Sequence, residues 1–415
     1  MLHRASTLFS SKLPQMGLKS TSTLSGLFGG ADNSGGHGWQ CACARCKGTP
    51  SLDERRRGLA TASGGDNKFL AAIAAGPVTC AEGYLFEMER RGYVSIGAFV
   101  PTVVLDHPEA VKQLHREFLR AGSDIIEAFT YYAHREKMRL VGKEHLIEDL
   151  NKTALRLARE VADEDPTGGA MVAGNICNTT LYTTDDDEET RAEIRAMFAE
   201  QVGWAADAGV DLIIGETFTN SGEGLLALEA IQPTGLPAVI TFAVQADGLM
   251  RDGMSVADAC RLVGDAGAAV VGINCSRGPD TMLPILEDLS REVGLPPIAA
   301  LPVAYNTTPD KPTMQSLSDI NHKYCDLDSH VCTRYDIAEF TTKAMALGVT
   351  YYGICCGNAP HHMRAMSQAL GRIPAASEND PDLSKHFVFG TKEGLGQTGK
   401  KEGTVDGNLN WRDAM

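Results

Sequence analysis

Between residues 77 and 372, short apolar runs alternate with longer amphipathic stretches, and this alternation constrains the fold more than any other feature of the chain. The pattern is that of repeated βα units feeding a parallel sheet. Strands are expected at 78–82, 125–130, 171–176, 212–218, 238–244, 270–275, 298–305 and 351–356. Helices between them show starts and stops: Asp106 as N-cap with Pro108 in the first turn, running through Leu119 to Gly122; Ser255 capping a helix through Val263; and a helix from Asp336 through Leu347 to Gly348. Eight such units suit an α/β chain closed into a (β/α)8 TIM barrel. A doubly wound open sheet is the alternative, because periodicity does not reveal closure. The 306–335 connection is long enough to carry structure or function of its own.

At 415 residues and 43% hydrophobic content the chain can bury one large core, and we divide it into an extension over 1–59, a barrel domain over 60–375 and a short polar C-terminal arm over 376–415. A formal charge of −15 argues against nucleic acid and acidic membranes as general partners, and no apolar run reaches the length needed to span a bilayer. A small-molecule substrate is expected. The first 30 residues carry Arg4, Lys12 and Lys19, many Ser and Thr, and no acid before Asp32. That composition, with Arg55-Arg56-Arg57-Gly58-Leu59 behind it, predicts a mitochondrial transit segment, the alternative being a disordered cytosolic extension.

The 11 cysteines are spread along the chain, which favours reduced thiols and metal ligation over a disulfide framework. Three of them close apolar runs in small-residue surroundings: Cys275 after Gly272-Ile273-Asn274, and Cys355-Cys356 before Gly357. Barrel enzymes place their reactive residues at C-terminal strand ends, where these three fall. Three thiolates there can hold Zn2+ and leave its fourth position for a substrate thiol. Adjacent Cys355 and Cys356 reach one ion only if the strand is ending, and Gly357 permits the turn. Otherwise they are ordinary buried cysteines packed as small hydrophobes. Cys80, Cys177, His361 and His362 are alternative ligands, and Cys41, Cys43 and Cys46 form a separate cluster in the extension. Asn274 is placed to support the ligands by hydrogen bonding.

The stretch from Asp106 to Gly122, with its His107-Pro108-Glu109 start and Leu114-His115-Arg116-Glu117-Phe118-Leu119 run, resembles betaine-homocysteine S-methyltransferase, as do Phe129-Thr130-Tyr131-Tyr132-Ala133 and the Asn274-Cys275 and Cys355-Cys356-Gly357 elements. The similarity covers roughly 78–375. It implies a zinc-dependent barrel that methylates homocysteine to methionine, with Cys275, Cys355 and Cys356 as ligands and Glu216 on the homocysteine amine. Tyr132, with Tyr131, Phe99 and Tyr84, would surround the methyl donor, since aromatic faces attract a quaternary ammonium. Three departures bear on the donor. Ala81-Glu82-Gly83 replaces an Asp-Gly-Gly pattern, so the Asp role is either lost or moved to Glu82; Thr217 stands where the betaine enzyme has a tyrosine, as in S-methylmethionine-dependent relatives; and the tail is shorter than the family's dimerisation arm. The expected donor is betaine, with S-methylmethionine as runner-up. The shortened arm predicts a monomer or loose homo-oligomer. A non-catalytic zinc or redox thiol protein is the reading from another class. A Schiff-base barrel would need a lysine at a strand end, and none stands there.

Overall fold

The computed structural model describes residues 67–183, 187–318 and 327–385. Eight parallel strands pair in sequence order and close, β8 returning to β1: β1 Val78–Ala81, β2 Ile125–Glu127, β3 Met171–Cys177, β4 Leu212–Phe218, β5 Ala238–Phe242, β6 Val270–Asn274, β7 Ile298–Leu301 and β8 Val349–Ile354. The barrel expectation is borne out and the open sheet excluded. In chain order the helices are α1 Lys68–Ala75, α2 Tyr84–Arg90, α3 Val103–Asp106, α4 Pro108–Arg120, α5 Arg135–Leu140, α6 Ile147–Asp163, α7 Glu188–Asp207, α8 Ser221–Ile231, α9 Val256–Asp265, α10 Pro279–Ser290, α11 Met314–Leu317, α12 Arg334–Ala346 and α13 Pro360–Ala369.

Alternate strand residues fill the barrel, among them Val78 and Cys80, Ile125, Met171 and Ala173, Leu212 and Ile214, Val270, and Tyr351. The bottom is plugged by α1, whose Phe69 meets the edge of Tyr351 at 6.2 Å between ring centroids. The opposite strand faces bury against the helical ring in a second, larger cluster.

Most strands stop sooner than their apolar runs suggest, because the chain turns out of the ladder to build the upper rim: β2 ends at Glu127, β6 at Asn274, β7 at Leu301 and β8 at Ile354. Two helix starts also differ from expectation. Asp106 does not cap α4: it closes the short α3, and His107 is the cap residue, without a side-chain cap bond. A residue before proline is pushed out of the helical region, so His107 must be the break. Asp336 lies one turn inside α12, where with Thr333 it forms a capping box. Ser255 caps α9 as expected, accepting from the Asp258 N–H.

The 306–335 connection carries structure in its described parts. A bridge pairs Tyr305 with Val331, and α11 is tied to the rim by the Met314 N–H donating to the Ser276 carbonyl at 2.6 Å. The extension with Cys41, Cys43 and Cys46, and Phe387-Val388-Phe389, lie outside the described residues.

Candidate active site

The two-residue period that fills the barrel continues one step above it. Val78 and Cys80 lead to Glu82, Ile125 to Glu127, Met171 and Ala173 to Asn175, Leu212 and Ile214 to Glu216, Val270 and Gly272 to Asn274, and Tyr351 and Gly353 to Cys355. All six of these polar side chains are buried. Above an apolar plug therefore sits a polar layer, and its Glu127, Glu216 and Cys355 line a cavity of about 550 Å³.

The thiols stand at one side of this layer. Cys275 follows β6 with φ 57°, and Ser276 repeats the left-handed conformation at 62°. Two such non-glycine residues in succession turn the thiol inward. Cys355 leaves β8 with its N–H donated to the Pro302 carbonyl at 2.8 Å, and the turn is completed at Gly357, φ 80°. The Sγ atoms of Cys275 and Cys356 are 3.6 Å apart, those of Cys355 and Cys356 4.0 Å, and all three lie within 4.8 Å of one another. Tetrahedral zinc with bonds of about 2.3 Å separates its sulfur ligands by about 3.8 Å, so these thiols fit such an ion. Thiol hydrogen bonds from Cys355 and Cys356 hold Cys275 well below the usual thiol range, while the other two are pushed up by donating to it.

Beside the thiols lie three carboxyl groups. Asn175 donates through Nδ2 to Glu127 and, at 2.7 Å, to Glu216. Asn274 donates to the other Glu216 oxygen at 2.8 Å and to the Thr217 hydroxyl at 2.9 Å, and accepts from the Thr217 N–H. Burial raises Glu216 to about 7, with the Asn175 bond opposing and the Cys275 charge reinforcing. Glu82 and Glu127 are pushed up further, by burial first and then by the Glu216 charge. Neither Glu82 oxygen has a partner among the described residues. Three buried carboxyls around so few donors form a receptor for a cation.

An aromatic wall faces them. The rings of Tyr131 and Tyr132 lie 4.3 Å apart at 47°, and Phe99 packs toward Phe86 at 6.3 Å. Tyr84 stacks on Phe129 at 5.5 Å, its hydroxyl 3.3 Å from His115 Nδ1. Tyr84, Phe99, Tyr131, Tyr132, Glu216, Thr217 and the three thiols all line the cavity; Asn274 and Glu82 stand just behind its surface.

The alternative ligands are elsewhere. Cys177 accepts the Tyr132 N–H at 3.2 Å, His362 Nε2 bonds the Cys332 carbonyl at 2.8 Å, and Cys80 approaches Glu82 and Glu127 instead of the thiol cluster. Sequence reasoning missed Glu127, Asn175 and Lys137. The first two were detectable, since each continues its strand's inward period as Glu216 does. Lys137 carries no such signal.

A closed parallel barrel whose rim gathers three thiols, three carboxyls and an aromatic wall around one cavity outlines a barrel enzyme whose thiols could hold a metal ion. The family model for homocysteine S-methyltransferase matches residues 84–370, and the chain belongs to that family. An S-methylmethionine–homocysteine S-methyltransferase of Pongo abelii is 35% identical over 348 residues, covering 82% of this chain and 92% of that protein. Betaine–homocysteine S-methyltransferase 1 of Rattus norvegicus is likewise 35% identical, over 347 residues, covering 80% and 83%. The metallated form of the homocysteine methyltransferase MmuM from Escherichia coli shares the fold, with a TM-score of 0.57, 21% identity, and coverage of 71% of this chain and 96% of that one. The expected resemblance and the expected enzyme class, homocysteine S-methyltransferase, are borne out.

Proposed function

We propose that this enzyme methylates homocysteine to methionine at a zinc ion held by Cys275, Cys355 and Cys356, with betaine as the donor. The observation that carries the reading is the convergence of those three thiols on the floor of a cavity that also presents Glu216 and the Tyr131–Tyr132 pair. Zinc bound there supplies a positive centre that lowers the pKa of an incoming thiol while three thiolates keep the centre electron-rich.

The chain's own residues do the rest. Ionised Glu216, oriented by Asn175 and Asn274, takes the homocysteine ammonium in a charge-assisted hydrogen bond. Glu127 shares the Asn175 amide with Glu216, and Glu82 stands beside them. The tyrosine faces attract the onium charge of the donor and turn its methyl group toward the thiols, so that the reactants meet without a search. Burial excludes water that would compete for both charges. No general base is required of the protein.

Thr217 favours S-methylmethionine as the second reading, and aromatic faces receive a sulfonium as they do an ammonium. Methionine formation measured with each donor separately decides between them. Betaine turnover exceeding that with S-methylmethionine is expected, and S-methylmethionine turnover alone would reverse the assignment. In C355A we expect loss of both zinc and activity; unchanged turnover would end the thiol mechanism.

Location and assembly are part of the same proposal. The basic, acid-free start supports mitochondrial import, checked by importing a chain without its first 30 residues. A monomer or loose homo-oligomer is the proposed assembly, which a tight tetramer in equilibrium sedimentation would contradict. Among the described residues no helix is long and apolar enough to cross a membrane.

A further inference from the structure

Lys137 is the one cation among the described residues lining the cavity, whose acidic groups include Glu127, Glu216 and the thiols. It lies in the first turn of α5, between two arginines that face away from it chemically. Arg135 pairs with Glu144 and Glu200, and Arg139 pairs with Glu136. Among the described residues, by contrast, no carboxylate lies within ion-pair distance of Lys137. Its ammonium sits 4.3 Å from the centroid of the Tyr132 ring.

The backbone on both sides of that contact is anchored. Tyr132 has a left-handed backbone, φ 59°, and gives its N–H to Cys177. The Lys137 N–H is donated to Nδ1 of His134, the buried cap residue of α5, at 3.4 Å. The helix cap thus sets the backbone from which the lysine side chain reaches the Tyr132 ring.

An ammonium parked on an aromatic face is a poor neighbour for a second cation. If a simple onium ion were the ligand of this wall, Lys137 would repel it from the face that is meant to attract it. The arrangement becomes favourable if the ligand brings its own negative charge. The cavity is negative at the thiols and carboxyls and positive at Lys137, so a small zwitterion is aligned head to tail: onium toward the floor, carboxylate toward the lysine. We infer that Lys137 binds the carboxylate of the methyl donor. This rests on the reading above that an onium donor binds against Tyr131 and Tyr132. Homocysteine also has a carboxylate, but its thiol and ammonium are both directed to the floor, whereas Lys137 stands at the aromatic wall.

The test uses the zinc-loaded full chain, wild type, K137M and K137R. Donors are betaine and betaine methyl ester, which keeps the onium and lacks the anion. A separate calorimetric titration uses 3,3-dimethylbutanoate, which keeps the carboxylate and lacks the onium. Wild type is expected to prefer betaine over its ester by about 10- to 100-fold in kcat/KM, the discrimination typical of one charged partner. In K137M that ratio should collapse to near one through a raised donor KM, with the homocysteine KM unmoved. K137R should keep most of the preference. Binding of 3,3-dimethylbutanoate should weaken at least about tenfold in K137M.

A betaine-to-ester ratio unchanged in K137M, with 3,3-dimethylbutanoate binding also unchanged, would overturn the inference. So would a rise confined to the homocysteine KM, which would move the lysine to the acceptor. If S-methylmethionine is the only donor used, the ratio is read against its methyl ester. If no donor is turned over at all, the functional reading fails, and the calorimetric arm still decides whether Lys137 holds a carboxylate.

Discussion

Among the described residues six non-glycines have left-handed backbone, and five of them, Phe99, Tyr132, Thr217, Cys275 and Ser276, line one cavity. Each such residue costs about 1–3 kcal/mol, so the rim is held in a conformation that the rest of the barrel must enforce. Gly83 shows how tight the enforcement is: φ is 80°, and a Cβ there would fall against the Cys355 carbonyl. Gly83→Ala should therefore destabilise the fold by roughly 2–3 kcal/mol and displace a metal ligand, read as a lower melting temperature with reduced zinc content. Glu216→Gln should raise the homocysteine KM by about 10- to 100-fold and leave zinc content intact, since it removes a charged hydrogen bond and no ligand. His115 behaves differently. Burial, and then the Arg116 charge, hold it down to about 3, so the folded protein keeps the ring neutral. Unfolded, the ring regains a pKa near 6.5 and takes up a proton. Its stabilising contribution is thus complete above pH 6.5 and is lost as pH falls toward 3. Denaturation across pH should show wild type losing about 1.4 kcal/mol per pH unit relative to His115→Gln between pH 6 and 4. A constant difference would contradict the assignment. The thiols, Glu216 and the tyrosines could be picked out one residue at a time. Lys137 could not, because its inward aim comes from how α5 packs.

At the scale of elements, the site is made where ladders stop. β6 ends one residue before Cys275 and β8 one residue before Cys355, and only beyond the ladder can neighbours such as Cys355 and Cys356 point the same way. Apolar runs mark where strands lie, but they do not mark where the chain leaves the sheet, which is why the strands read from sequence overrun the rim. Caps were legible where the side chain acts locally, as Ser255 does. The start of α12 was read two residues late because Thr333 and Asp336 share the capping: Thr333 accepts the Asp336 N–H, and Asp336 accepts the Thr333 N–H at 2.6 Å. Thr333→Ala should cost about 1 kcal/mol in chemical denaturation. Because α12 leads into β8, that loss should leave kcat unchanged; a changed kcat would show that the cap also sets the position of the thiols.

At the scale of the molecule, closure joins what is distant in sequence. The barrel is shut at both seams of β1, and the seam is tied from outside by Arg372, which donates to Asp124 at 2.7 Å, to Thr79 at 3.2 Å and to the Pro77 carbonyl. At the bottom α1 was not anticipated, although its Phe69 is wholly buried in the barrel core. Phe69→Ala should cost about 3–5 kcal/mol, measured by denaturant unfolding, as a large core deletion does. What the amino-acid order determined alone is local: the two periods that make strands and helices, the turn residues between them, and the residue types able to hold a metal or an ammonium. Those follow from interactions within a few residues. The tertiary structure decided closure over the open sheet, the meeting of Cys275 with a cysteine pair 80 residues further on, the gathering of Glu82, Glu127 and Glu216, and the inward aim of Lys137. Register and barrel closure set which side chains share a layer, and both depend on all eight strands pairing at once.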